Sequence, residues 1–313
     1  MRVLLITLCL AALFSVTGCG GGGGGGGGGS TTPAATTSDK DPAATASDKD
    51  QTAGTTTLED DETPYGVVSY GGFTLMSLPA TEGDIPYYRD ADGIRHFVGF
   101  SIYRDGTVYF LGDPERDYEV TKNPKRFSDI AEHWAFEPVQ FVAEREIFLG
   151  VGENTFAPED FVTRAMLVTI LGRMNMVDTV KFSDTPFSDV EADTWYTPYV
   201  SWAAENGIVL GYEDGSFQPD RNISRQELAV VICRFLDYME LTLPTNSDAT
   251  AFNDQDLIAS WASESVARLQ RCGILNGKEA NNFDPEGTTL RGELAAVLQR
   301  TVTSVLDELI TDR

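Results

Sequence analysis

The sequence predicts a mainly α fold: three helix-loop-helix repeats, preceded by a small antiparallel β module and a disordered N-terminal tether. Two observations carry this prediction. The stretch from Phe187 to Arg234 has the apolar spacing of two helices joined by a tight loop, and it recurs from Phe127 and from Phe252. Residues 19–63, by contrast, are dominated by Gly, Ala, Ser and Thr and cannot bury a core.

In chain order, residues 1–18 read as an export signal. Arg2 is followed by an apolar run from Val3 to Phe14, too short to span a bilayer. Val16-Thr17-Gly18-Cys19 resembles a bacterial lipobox, in which Cys19 would become the lipid-bearing N-terminus. An ordinary secretory signal with an incidental cysteine is the other reading. More than one acyl chain matters physically, because one chain binds a membrane only marginally. Ten glycines, Gly20 to Gly29, then lead into tandem nonapeptides starting at Pro33 and Pro42. The 45 residues from Cys19 to Pro64 would span about 35–40 Å as a flexible coil.

Residues 64–121 read as the β module. Val67, Val68, Tyr70, Phe73, Leu75 and Met76 are strand formers. Ile94, His96, Val98, Phe100 and Ile102 alternate along one long strand, and Asp92-Gly93 and Asp105-Gly106 are hairpin turns. This predicts a meander of four or five strands. A domain this small is marginal alone, so it is expected to lean on the repeats or on a protein partner. His96 is expected to be a satisfied histidine on the apolar face of its strand. With His133 the only other histidine, a His-rich metal site is excluded. Residues 122–126 form a short, solvated basic connector.

The repeats occupy residues 127–176, 187–239 and 252–303. In the middle one, Trp195, Tyr199, Trp202, Ala203 and Ile208 mark the first helix, and Gly207 and Gly211 end it. Ser224 with Glu227 has the spacing of a capping box at the start of the second helix. The landmarks align across all three copies. Phe127-Ser-Asp129, Phe187-Ser-Asp189 and Phe252-Asn-Asp254 open them, and Trp134, Trp195 and Trp261 follow. Phe156-Ala-Pro158, Phe217-Gln-Pro219 and Phe283-Asp-Pro285 lie in the loops, and Arg164, Arg225 and Arg291 begin the second helices.

Acidic side chains outnumber basic ones 48 to 23. That excess argues against nucleic acid and against adhesion to anionic lipid. No nucleophile has a histidine base, and no carboxylate pair is singled out, so no enzyme and no cofactor are expected. Cys233 and Cys272 could pair if their helices abut; two small buried hydrophobes is the plainer reading. The arginines are the most telling residues. A cation at a helix N-terminus opposes the dipole, and here it does so three times. On the residues alone two readings stand open: an anion site built from guanidinium and exposed helix N–H groups, or an ion pair with the aspartate of a neighbouring repeat.

These landmarks, with G-I-x-x-G, D-G-x-F-x-P and the T-R-A-E helix start, present in the middle repeat as Ser224-Arg225-Gln226-Glu227, resemble the S-layer homology (SLH) domain. The resemblance covers residues 127–300. It implies a pseudo-threefold spindle with three grooves that bind anionic, often pyruvylated, secondary cell-wall polysaccharide. It further implies that the arginine meets the pyruvate carboxylate, that the glycines let backbone approach the sugar, and that tryptophan and aspartate line the groove. By matching position, repeat one offers Arg164, Gly150, Asp129 and Trp134. Repeat two offers Arg225, Gly207, Gly211, Asp189 and Trp195, and repeat three offers Arg291, Gly273, Gly277, Asp254 and Trp261.

The copies also depart from the pattern. Glu146 stands where the first glycine of repeat one belongs, and Met166 replaces the motif glutamate. Leu290 occupies the cap position of repeat three, with Thr289 as a substitute cap one residue earlier. The grooves are therefore expected to differ, with Arg225 carrying most affinity. The expected protein is a non-catalytic, extracytoplasmic anchor, lipid-linked to the membrane through Cys19 and bound to the wall through its repeats. The alternative is a degenerate triplet acting as a protein-interaction scaffold, with the three tryptophans as core.

Overall fold

The computed structural model describes residues 69–245 and 248–311. The export signal, Cys19, the whole tether and residues 64–68, with Val67 and Val68, lie outside the described residues. Among the described residues, seven strands are followed by six α-helices. Strands β1 (Ser69–Tyr70), β2 (Phe73–Pro79), β3 (Asp84–Arg89), β4 (Arg95–Phe97), β5 (Ser101–Arg104), β6 (Thr107–Gly112) and β7 (Glu119–Lys122) make up the module. The helices are α1 (Phe136–Glu144) and α2 (Arg164–Met174) in repeat one, and α3 (Thr197–Glu205) and α4 (Arg225–Tyr238) in repeat two. Repeat three contributes α5 (Ser263–Arg271) and α6 (Arg291–Thr311).

The module is not a single meander. Its strands form two antiparallel sheets, ordered β1-β2-β6-β5 and β4-β3-β7. The hairpin at Asp105-Gly106 forms as its turn residues predict, pairing Arg104 with Thr107. The long strand expected through residues 94–102 is broken between β4 and β5, so its two halves join different sheets. The break lies against repeat one. A side chain at Gly99 would sit 3.2 Å from both Ile147 Cγ1 and Met174 Cα, so backbone approaches helix there without one. Arg145 Nε reaches Ser101 and donates to its carbonyl (2.9 Å) and hydroxyl (3.1 Å). His96, expected on an apolar face, is half-exposed and paired with Asp90 Oδ2 at 2.8 Å. The basic connector is less solvated than expected: Asn123 Nδ2 donates to Glu144 O (2.7 Å) and Lys125 pairs with Glu146 (3.0 Å).

Because the module is small, it shares a core with the repeats. Leu75, Phe100, Ile102 and Leu111 belong to the same buried cluster as the helix faces. Phe100 stacks on Phe235 at 6.3 Å, and Trp202 meets Phe235 edge-on at 6.3 Å. Helix α6, at 21 residues, is longer than α2 and α4, and its second half packs on β5 and β6. Arg104 also makes a two-pronged bond to Asp307 there.

The repeats exchange backbone hydrogen bonds in a closed cycle. Ile223 N donates to Val162 O (2.9 Å), Thr289 N to Ile223 O (3.1 Å), and Val162 N to Thr289 O (3.0 Å). Helix packing follows the same circuit, with α3 on α2, α5 on α4 and α1 on α6. Each repeat thus lays its first helix on the second helix of the repeat before it, and repeat one lays its own on repeat three.

The shared core makes a testable claim. Phe100→Ala, which empties a fully buried site at a cost of about 3–5 kcal/mol, is expected to lower the melting temperature of the repeats as well as the module. Tryptophan fluorescence reports only the repeats, since all four tryptophans lie there. A fluorescence melt unchanged by Phe100→Ala would show that the two parts unfold independently.

Candidate functional site

Each second helix begins inside the loop of the next repeat. In α2, Arg164 N donates to Arg221 O (2.9 Å) and Ala165 N to Pro219 O (3.0 Å). In α4, Arg225 N donates to Gly287 O (2.9 Å) and Gln226 N to Pro285 O (3.1 Å). In α6, Arg291 N donates to Asp160 O and Gly292 N to Pro158 O, both at 2.8 Å. The first N–H groups of these helices, expected to be exposed, are therefore taken up by neighbouring carbonyls. The third is capped by side chains in α2 and α4: Thr163 Oγ1 accepts from Met166 N, and Ser224 with Glu227 forms the expected capping box. In α6 the apolar Leu290 cannot cap. Thr289 does not replace it, since its hydroxyl is buried without a partner among the described residues. Glu293 instead reaches back to Leu290 N at 3.0 Å.

The three arginines are 3–7% exposed and cross the same junctions. Arg164 Nε donates to Phe217 O (2.8 Å), Arg225 Nε to Phe283 O (2.7 Å) and Arg291 Nε to Phe156 O (2.9 Å). Arg225 Nη2 also donates to Asn276 O, and Arg291 Nη2 to Leu149 O. Each guanidinium lies over the ring of the phenylalanine whose carbonyl it holds. Burial lowers the pKa of all three, that of Arg291 to about 10.

The sequence-based grouping by repeat is thereby redistributed. Arg164 works with Asp189 and the loop of repeat two, Arg225 with Asp254 and the loop of repeat three, and Arg291 with Asp129 and the loop of repeat one. No single repeat contains a whole site, so the cyclic offset could not be read by aligning the copies. Two cations share one glutamate at two of the junctions. Glu227 pairs with Arg164 (3.5 Å) and Arg221 (3.0 Å), and Glu293 with Arg225 (3.8 Å) and Lys278 (3.6 Å). At the third junction the equivalent of this glutamate is Met166, and Arg291 makes no ion pair among the described residues.

The aspartates hold the loops. Asp129 accepts from Phe156 N and Ala157 N, Asp189 from Phe217 N and Gln218 N, and Asp254 from Phe283 N and Asp284 N. Ala157, Gln218 and Asp284 all have φ of 57–59°, a left-handed backbone that costs energy in a non-glycine residue. The carboxylate, bonded to two successive N–H groups, offsets that cost.

Both motif glycines have a local explanation. Gly207 and Gly273 have φ near +68° with open space where a side chain would go. Glu146 adopts the same conformation at φ 54° and turns its carboxylate to Lys125. The second glycine answers to packing. A Cβ on Gly150 or Gly211 would lie 2.6 or 2.4 Å from the opening phenylalanine, Phe127 or Phe187, and on Gly277 3.2 Å from Phe252.

Trp134, Trp195 and Trp261 are 42–60% exposed, so they are not core; the buried tryptophan is Trp202. Their ring partners are local, His133 for Trp134 and Tyr196 for Trp195. No ring contact joins them to the arginines among the described residues. Cys233 and Cys272 are both buried and are not joined by a disulfide, and burial pushes the Cys233 thiol to about 11. Among the described residues no group of side chains could hold a metal ion, and no helix is long and apolar enough to cross a membrane.

The aspartate clasps set an acid limit on stability. Burial raises the carboxyls of Asp129 and Asp254, but the loop N–H groups and the arginine across the junction outweigh it, so both pKa values are lowered. A lowered folded pKa stabilises above the unfolded value, about 4 for aspartate, and that contribution disappears as pH falls through the folded value. The melting temperature is expected to fall as pH drops from about 5 to about 3. Asp254→Asn should melt lower at neutral pH and decline less steeply with acid; an equally steep decline would remove Asp254 from this role.

Comparison with known proteins agrees with the repeat landmarks. The S-layer homology domain matches residues 126–165, 186–229 and 251–295. An amylopullulanase of Thermoanaerobacterium thermosulfurigenes is 30% identical over 68% of this chain and 11% of its own length. An exoglucanase, XynX, of Acetivibrio thermocellus is 30% identical over 62% of this chain and 17% of its own. A cellulosome-anchoring protein of Acetivibrio thermocellus is 29% identical over 49% of this chain and 34% of its own. The chain thus spans between a ninth and about a third of these relatives, and the activities their names give belong to them. All three repeats are matched in tandem, so the chain carries three S-layer homology domains.

Proposed function

We propose that this chain is a non-catalytic anchoring protein of the cell surface whose SLH triplet binds an anionic secondary cell-wall polysaccharide. The observation that carries this reading is the buried arginine, held by loop carbonyls, at each junction. In a chain of net charge −25, a second cation stands beside two of them: Arg221 shares Glu227 with Arg164, and Lys278 shares Glu293 with Arg225 while also pairing with Asp284 at 3.0 Å. The arginines are fixed before any ligand arrives, so a carboxylate would not have to order them. Three exposed tryptophans add flat apolar surface of the kind a sugar ring covers. Their exposure counts against the scaffold reading in which they are core. The cellulosome-anchoring relative points the same way.

Within this proposal, the cyclic hydrogen-bond exchange supports a pseudo-threefold spindle, and a pyruvyl carboxylate is the group that suits a guanidinium fork. Arg225 keeps its expected first rank, with Lys278 beside it as a second cation. The site residues are the arginines together with Asp129, Asp189, Asp254, Trp134, Trp195, Trp261 and the motif glycines Gly150, Gly207, Gly211, Gly273 and Gly277. A diacylglycerol on Cys19 would tie the tether to the membrane, while the repeats bind the wall. Several weak sites on one polymer would gain from effective concentration.

Two experiments test the reading. Arg225→Ala is expected to cut co-sedimentation with purified walls by about tenfold, and wild type should bind depyruvylated walls as poorly as the variant binds native ones. Undiminished sedimentation of Arg225→Ala would take the polysaccharide site away from this junction. Separately, radiolabelled fatty acid should enter the wild type and not Cys19→Ala. Label retained in Cys19→Ala, or absent from both, rules out the lipid anchor.

A further inference from the structure

A cleft of about 630 Å³ opens between β3 and β4 of the module and the C-terminal ends of α1 and α2. It touches the junctions only at Leu149, whose carbonyl accepts from Arg291, and its volume suits a small molecule. Five cations line it: Arg89, Arg116, Arg145, Arg173 and Lys181. That is a dense basic surface in a chain with twice as many acids as bases. Three carboxylates line it as well, and each has a partner. Asp90 is bound to His96 at 2.8 Å, Glu146 to Lys125 at 3.0 Å and Asp178 to Lys181 at 3.3 Å.

Arg145 is the decisive group. It caps α1 and is only 9% exposed. Its Nε donates to Ser101, its Nη1 to Phe141 O at 3.1 Å, and its guanidinium lies 3.6 Å from the centre of the Phe141 ring. These are neutral partners. Among the described residues it makes no ion pair, and burial pushes its pKa down to about 10. Glu144 next to it in sequence acts on it only at a distance; a buried cation whose direct partners are all neutral is costly, and its persistence in a cleft of other cations marks a place where an anion completes the structure. Arg116 is fixed in a similar way, over the Tyr88 ring at 4.1 Å, with His96 stacked on that ring at 5.0 Å and Asp113 at 3.0 Å. Because these guanidinium groups are already positioned, a ligand would not have to order them.

We propose that this cleft is a second anion site, taking a small, ring-sized ligand that carries a carboxylate or a phosphate group. Guanidinium forks bind both groups bidentately. The site depends on the module as much as on the repeats, since β3 and β4 supply one wall. It gives residues 64–121 a role that neither the repeats nor their resemblance assigns, and it stands whether or not the junctions bind wall polysaccharide.

Calorimetric titration of the full chain with glucuronate, glucose 1-phosphate and glucose tests the proposal at nearly constant ligand size. Both anions are expected to bind and glucose is not. Lys181→Glu, an exposed position whose change leaves the core intact, should weaken both anions by about tenfold or more. Arg145→Met should abolish the binding if it folds; should it not fold, Lys181→Glu alone decides. Arg225→Ala should leave this binding in place, which separates the cleft from the junctions. Equal binding of glucose, no binding of either anion, unaltered affinity in Lys181→Glu, or loss in Arg225→Ala would each overturn the assignment.

Discussion

The repeats depend on three hydrogen bonds that close on themselves. Val162, Ile223 and Thr289 each donate to one of the others and accept from the third. Every such bond contributes about 1 kcal/mol, but breaking one exposes a buried donor and acceptor at a further 1–3 kcal/mol. A ring has no free end where that cost could be absorbed. One repeat alone would leave both groups unpaired, and two would leave one of each. This is a backbone reason for three copies, in addition to the need of each first helix for a neighbouring second helix to cover.

The ring also settles where the second helices begin. It brings the F-x-P loop of the next repeat over each helix N-terminus, so loop carbonyls satisfy N–H groups that would otherwise be orphaned. Those carbonyls explain the arginines. A cation at the start of a helix opposes the dipole, but here it faces an array of carbonyl oxygens and an aspartate clasp from the adjacent loop. The two readings left open by the residues are therefore not exclusive. The arginine has a structural role, through its Nε bond to the loop, while for Arg164 and Arg225 the outer part of the guanidinium shares a glutamate with a second cation.

Much of this was legible in the sequence. Period, helix pairs, the capping box at Ser224 and the loop motifs recur as written, because apolar spacing and cap chemistry are local. What could not be read is what lies between copies. Arg225 aligns with Gly207 and Asp189 in sequence, yet it meets Asn276 and Asp254, because the chain hands each helix on to the next loop. The β module failed for a related reason. Alternation from Ile94 to Ile102 is that of one strand, but docking of Gly99 against Ile147 and Met174 forces a break that only the tertiary contact imposes. The cleft was invisible for the same cause, since its cations are spread from residue 89 to residue 181 and meet only through the fold.

The acidity of the chain sharpens rather than weakens the case for anion sites. At physiological salt, exposed charges are screened beyond about 8 Å, so the distant carboxylates have little reach into a junction or the cleft. Within that distance the sign is set by held cations and their partners. The backbone circuit treats the three repeats alike, yet the side chains do not. Glu227 and Glu293 each answer two cations, while at Arg291 the glutamate is replaced by Met166, and only the more distant Asp129 and Asp160 act on it beyond carbonyls and aromatic faces. A fold that fixes three equivalent backbone junctions thus leaves their charge free to diverge. The difference in charge among the junctions comes from the few residues, at positions 166, 221 and 278, that the ring does not constrain.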